Sequence, residues 1–165
     1  MARKIDIASA PHAKGARYPM PYDQPCAPRE RWRLGDPAGL TQFGVNLLRL
    51  PAGAWSSQRH WHSAEDELVY VLEGDVVLVT DEGEELLGPG DSVGFRAGDA
   101  NGHHFQNRSD HVAVMLEIGS RRPGEGAVDY PDIDLVYPQG AEGFHHRDGR
   151  PYSNEDYRDP PPRPS

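Results

Sequence analysis

Residues 53–74 read GAWSSQRHWHSAEDELVYVLEG. His60 and His62 stand two apart, so on a strand both imidazoles point to one face while Arg59 and Trp61 point to the other. Glu67 follows a short bend and opens the apolar run ELVYVL, in which Glu67, Val69 and Val71 share a face. Gly74 ends the run in a tight turn, where a residue without Cβ can take positive φ. A second stretch, residues 88–107, reads GPGDSVGFRAGDANGHHFQN and adds His103, which period two places with Phe105 and Asn107 and opposite His104. His60, His62, Glu67 and His103 are three imidazoles and one carboxylate on short strands, a donor set for one divalent metal inside a small β-barrel. Each residue alone is a weak signal; the joint spacing carries the expectation.

Around these stretches the pattern is strands and turns. TQFGVNLLRL (41–50) reads as a strand with Phe43, Val45 and Leu47 on one face and Leu48 and Leu50 on the other. Short strands follow at 57–62, 67–72, 76–80, 86–87 and 92–95, then 103–107 and the apolar VAVMLEI at 112–118. Turns rich in glycine separate them, and no amphipathic helix of useful length interrupts the series, which favours an all-β sandwich or small barrel. RERWRL (29–34) is expected as a short edge strand anchored by Trp32. Residues 1–28, broken by Pro11, Pro19, Pro21, Pro25 and Pro28, read as an extended N-terminal arm that packs on its own barrel or on a partner subunit. The barrel then spans 29–119. Residues 120–165 form an extended, aromatic-dotted C-terminal arm whose last stretch, Asp159–Ser165, is expected to be disordered.

The chain has 165 residues and a formal net charge of −9. That is one domain with room for a sizeable core. The acidic balance argues against a nucleic-acid groove or an anionic membrane surface as partner. Cys26 is the only cysteine, so an intrachain disulfide is impossible. A cytoplasmic location is expected, since no signal-like or membrane-spanning apolar run is present.

The two stretches resemble the paired motifs of the cupin superfamily. Gly53, His60, His62, Glu67 and Gly74 match the first motif; Gly90, Gly98, His103 and Asn107 match the second, with Arg96 where the family usually has proline. The whole chain, including the late YPDID and HHRDG, is similar to a group of single-domain bacterial cupins. The resemblance implies a double-stranded β-helix (jelly-roll) barrel, a homodimer, and His60, His62, Glu67 and His103 as ligands of one divalent ion: Zn, Fe, Mn or Ni. The superfamily includes isomerases, lyases, dioxygenases and decarboxylases as well as binding proteins.

If the ligand face points inward, Phe43, Val45, Leu47, Val69, Val71, Phe95, Phe105 and Met115 are expected to line the cavity. Arg49 and Arg96 are the candidate clamps for a substrate carboxylate or phosphate, and Asn107 could orient a ligand or brace strand pairing. Asp99 and Asn101 stand where they could orient the His103 ring. His145 and His146 could serve as a lid or second metal site, or merely help dock Phe144. The expected function is that of a divalent-metal-dependent enzyme acting on a small oxyanionic organic substrate, of isomerase, lyase or dioxygenase type. A non-catalytic small-molecule binding or sensor cupin is the alternative, and a metal that only braces the barrel is a third. No general base stands out.

Overall fold

The computed structural model describes residues 2 and 4–158; Asp159–Ser165, expected to be disordered, lie outside the described residues. The strands are β1 (His12–Lys14), β2 (Glu30–Arg33), β3 (Phe43–Leu50), β4 (Trp61–His62), β5 (Glu67–Glu73) and β6 (Val76–Thr80), followed by β7 (Gly83–Leu87), β8 (Ser92–Phe95), β9 (His104–Gln106), β10 (Ala113–Ser120), β11 (Val128–Tyr130) and β12 (Leu135–Tyr137). They form a six-stranded sheet in the order β1-β2-β3-β10-β5-β8 and two three-stranded sheets, β7-β6-β9 and β12-β11-β4. Every pairing is antiparallel. The protein is all-β with a jelly-roll arrangement.

The six-stranded sheet and β7-β6-β9 close on a core of Leu48, Leu50, Val71, Met115, Val76 and Phe105 and their neighbours. Strand register explains where this core ends. Arg31, Leu48, Met115 and Val71 lie in one cross-strand row; Arg33, Asn46, Glu117, Val69 and Val93 form the next; Gly44, Gly119, Glu67 and Phe95 form the third. The inner face therefore passes from apolar to polar along the strands. Gly119, paired with Glu67, carries no side chain to fill the space beside it, Gly44 in the same row admits the Arg121 guanidinium, and the polar end of the face becomes a cavity.

This overturns the expected lining of β3. Phe43 is exposed, and Val45 and Leu47 face outward with it, while Leu48 and Leu50 are wholly buried. The inward residues at the open end, Gly44 and Asn46, are the ones that look like a solvent face in the sequence. Conversely, the outer face is apolar: Trp32, Leu47, Leu116 and Tyr70 lie in one row, and Val45, Ile118 and Leu68 in another. Strand β2 is not an edge, because β1 pairs outside it (His12 opposite Trp32, their rings stacked 4.4 Å apart). Strand β10 runs to Ser120, and at Gly74 a Cβ would lie 2.8 Å from the Val112 carbonyl oxygen, so the turn there demands glycine.

A second cluster joins the two ends of the chain. Tyr18 and Cys26 pack with Tyr130 and Leu135, with Tyr22, Trp55 and Phe144 around them. Burial pushes the Cys26 thiol up to about 11, so it is an inert packing residue. The β11–β12 hairpin reaches the barrel by pairing β11 with β4, Val128 opposite His62. His145 and His146 belong to this cluster's rim. His145 bridges Val136 and Pro151, while His146 meets Asp134 at 2.7 Å and stacks on Tyr152. Among the described residues no helix is long and apolar enough to cross a membrane. If the hairpin is part of the fold's core, Leu135→Ala lowers unfolding free energy by about 2–5 kcal/mol in urea denaturation. A loss below about 0.5 kcal/mol would mean that the arm only drapes the surface.

Candidate metal centre

The backbone sets the donors. His60 and His103 form an antiparallel bridge and exchange both hydrogen bonds, His60 N to His103 O at 3.1 Å and His103 N to His60 O at 2.9 Å. Their ring centroids are 5.0 Å apart, as are those of His60 and His62. Regular strand is shorter than expected at both histidine stretches: β4 holds only Trp61–His62 and β9 begins after His103. The carboxylate arrives from β5, with Glu67 Oε2 3.2 Å from His103 Nε2 and 3.7 Å from His62 Nε2. His60, His62 and Glu67 each offer a ligand atom within 4.8 Å of the others, so this trio could hold a metal ion. His103 reaches the trio through Glu67.

The surroundings fit that use. His60 Nδ1 lies 2.9 Å from the Gln58 carbonyl, which makes Nδ1 the protonated nitrogen and leaves the Nε2 lone pair for the cluster. Glu65 Oε2 stands 3.5 Å behind His62 Nδ1 in the same manner. The buried Nδ1 of His103 has no hydrogen-bond partner among the described residues; its ring is instead held face to face on Phe95, centroids 3.5 Å apart. Burial lowers the His60 pKa to about 3 and lowers that of His62, so both imidazoles are neutral. Burial alone would raise Glu67, but the His103 hydrogen bond and the adjacent imidazoles outweigh it and hold the carboxyl at about 2. Neutral nitrogens around an ionised carboxylate are the protonation states a divalent cation requires.

The donors open onto a cavity of about 400 Å³. Its other walls carry Arg31, Arg33 and Arg121, together with Asn46 and Glu117. Arg31 Nη2 donates to Glu117 Oε1 at 2.7 Å, while Glu117 Oε2 and Arg31 Nε are buried without hydrogen-bond partners among the described residues. Burial opposes the Arg31 charge, but Glu117 overcomes it and raises the guanidinium pKa. A smaller cavity of about 340 Å³ lies on the other side of His62 and His103, lined by Arg96, Asp99 and several glutamates.

The remaining expected site residues fall elsewhere. Arg49 is exposed on the outer face of β3, opposite Val114, and does not line the donor cavity. Arg96 opens on the smaller cavity. Asn107, almost wholly buried, donates through Nδ2 to the Leu50 and His111 carbonyls and accepts from Ser109, which is bracing of the backbone. Asp99 and Asn101 serve the loop: Asn101 N donates to Asp99 Oδ1, and Asn101 bonds Asp81 and Glu82. The sequence did carry signals for the residues it missed. Arg29, Arg31 and Arg33 recur with period two, and Glu117 sits with Ala113 and Met115 on the inward face of the most apolar strand.

The cupin domain family matches residues 46–119. A crystal structure of a sugar phosphate isomerase from a cupin superfamily, from Silicibacter pomeroyi, is 44% identical, covers 94% of this chain and 99% of its own, and superposes with a TM-score of 0.85. The chain belongs to the cupin superfamily. A second cupin-like structure, a candidate sugar phosphate isomerase from Acidithiobacillus ferrooxidans, is 33% identical over 72% of this chain and 76% of its own, with a TM-score of 0.65. A polyketide cyclase from Streptomyces resistomycificus, 23% identical over 74% of this chain and 82% of its own with a TM-score of 0.59, shares the cupin fold. Comparison with curated proteins finds no match.

The Arg31–Glu117 pair sets a stability test for this cupin. Arg31→Met strands a buried carboxylate and lowers unfolding free energy by about 3 kcal/mol in urea denaturation, whereas Arg31→Met with Glu117→Leu recovers most of it. Equal losses in the single and double variants would show that the charge pair is not what the fold depends on.

Proposed function

We propose that this cupin is a divalent-metal-dependent enzyme of isomerase type acting on a small oxyanionic organic substrate, with sugar phosphates the first class to examine. The observation that carries the proposal is one cavity with a His–His–Glu donor group on one wall and arginines on another. A relative described as a sugar phosphate isomerase, at 44% identity, and a candidate one, at 33%, support the substrate class. His60, His62, Glu67 and His103 would hold the ion. When bound, it would polarise substrate oxygens as a Lewis acid.

The chain's own groups supply the rest. Aldose–ketose isomerisation moves a proton between neighbouring carbons, which calls for a carboxylate beside the substrate. Glu117 stands on the cavity wall, with one oxygen fixed by Arg31 and the other unpartnered. In this reading Glu117 takes and returns the proton while Arg31 holds its orientation. The stack of His60 on Tyr130, at 5.6 Å and 25°, closes the wall on the hairpin side.

The outer face supports a homodimer as the working form. Leu68, Tyr70 and Leu72 stand 42%, 39% and 39% exposed beside the outward residues of β3 and β10. An apolar sheet face of this kind is covered most simply by its own copy. Light scattering after gel filtration is expected to give twice the 18.3 kDa chain mass for the wild type and a monomer for Tyr70→Glu. An unchanged mass in Tyr70→Glu would put the interface elsewhere.

For the enzyme itself, purified protein is expected to carry a divalent ion that is lost in His60→Ala and His103→Ala but kept in His104→Ala, by elemental analysis. It should isomerise a member of a sugar phosphate panel, with kcat about 10²–10⁴-fold lower in Glu117→Gln and metal retained. Stoichiometric metal in the first two variants overturns the ligand set. Saturable ligand binding without turnover on any panel member overturns the enzyme reading in favour of a binding cupin.

A further inference from the structure

The cavity mouth carries a feature that metal ligation does not use. Arg29, just before β2, and Arg31 and Arg33 on it recur at period two, and each meets a different environment. Arg29 is buried and tied to the Gly15 and Ser56 carbonyls. Arg31 is matched by Glu117. Arg33, at the outer end, is 58% exposed, and its Nε lies 3.0 Å from Asp36 Oδ2. Arg121 comes from the end of β10 to the same aspartate, Nη2 to Oδ1 at 2.8 Å. Its guanidinium lies against the backbone of Gly44, where a Cβ would stand 3.2 Å from Arg121 Nε. Glycine at 44 is thus what lets Arg121 rest across β3.

Charge counting gives this arrangement its meaning. Two guanidiniums share one carboxylate, so the Arg33–Asp36–Arg121 cluster by itself carries one positive charge in excess, in a chain whose formal net charge is −9. Of the other acids lining the cavity, Glu117 is matched in charge by Arg31, while Asp66 and Glu65 accept backbone N–H bonds from Ala97 and Arg122 and Glu67 lies among the histidines, each keeping its negative charge away from this cluster. Neither η nitrogen of Arg33 donates a hydrogen bond to another described residue, and Arg121 spends only Nη2 on Asp36 and a long 3.5 Å contact on the Leu40 carbonyl. Planar forks with spare donors, set around one positive charge, match the geometry of a phosphate monoester.

We propose that Arg33 and Arg121, bridged by Asp36, form a phosphate-binding subsite at the mouth of the cavity that holds the charged end of a substrate whose reacting carbons lie at the donor group. The inference rests on the proposed isomerase reading for its substrate, but its test does not require turnover. Inorganic phosphate is titrated into the full-length protein at low salt and followed by ³¹P NMR and calorimetry. Wild type binds it saturably. Arg33→Gln with Arg121→Gln weakens binding at least tenfold; Arg49→Gln and Arg96→Gln leave it unchanged; His60→Ala, which lacks the metal ligand, retains it. Gly44→Val, which displaces Arg121 without removing a charge, also weakens binding. Both glutamine substitutions lie at the exposed mouth, so an unchanged urea midpoint confirms an intact fold. Phosphate binding that survives in the double arginine variant but vanishes in His60→Ala overturns the subsite, as does a wild type that shows no saturable binding. Loss of phosphate binding in the double variant of a protein inactive on every sugar phosphate keeps the subsite and rejects the isomerase.

Discussion

The pair of backbone hydrogen bonds between His60 and His103 is the constraint on which the site depends. These residues are distant in sequence and neither lies within a long strand, yet their mutual bridge fixes two imidazoles side by side. His62 then follows by strand parity, and β5 delivers Glu67 to the same point. An ionised carboxylate amid neutral imidazoles is an expensive thing to bury without a cation or several donors. The fold accepts it because the His103 hydrogen bond and the neighbouring imidazoles favour the ionised carboxyl, while backbone pairing, the Gln58 carbonyl and the Phe95 ring hold His60 and His103 in place.

The cavity beside these donors follows from a gradient along the inner sheet face. Where Leu48, Met115 and Val71 meet, side chains interlock and exclude water. One step along, the row of Asn46 and Glu117 is polar, and the next places Gly44 and Gly119 next to Glu67. Small residues beside a carboxylate make room for a ligand instead of a core. Arg31 and Arg33 of β2 and Arg121 line the same room, so the proposed substrate would meet two unlike groups there. In this account the acid–base group, Glu117, lies between them.

Much of this was legible in the sequence, and the failures have physical causes. The H-x-H spacing, Glu67 and His103 could be read because strand parity and turn chemistry are local. The orientation of β3 could not: its inward half is polar at the cavity and its outward half is apolar, so hydrophobicity points the wrong way for Phe43, Val45 and Leu47. Arg49 and Arg96 attracted attention as cations near barrel strands, yet parity turns Arg49 outward and the loop carries Arg96 to the smaller cavity. Arg31 and Arg33, which do line the donor cavity, stand in a period-two run that the expectation of an edge strand hides. Glu117 was visible as the single acid on the buried face of an apolar strand. The support of His60 by the Gln58 carbonyl is a backbone contact, which no side-chain pattern reports.

Donors and arginines are proposed to act on one ligand in one cavity. A crystal structure of the protein grown with inorganic phosphate, with anomalous scattering recorded at the absorption edge of the metal found by elemental analysis, measures both ends at once. The expected result is an anomalous peak bounded by His60, His62, Glu67 and His103, and a phosphate between Arg33 and Arg121 in the same cavity. A peak away from these four side chains, with His103 turned from Glu67, would contradict it.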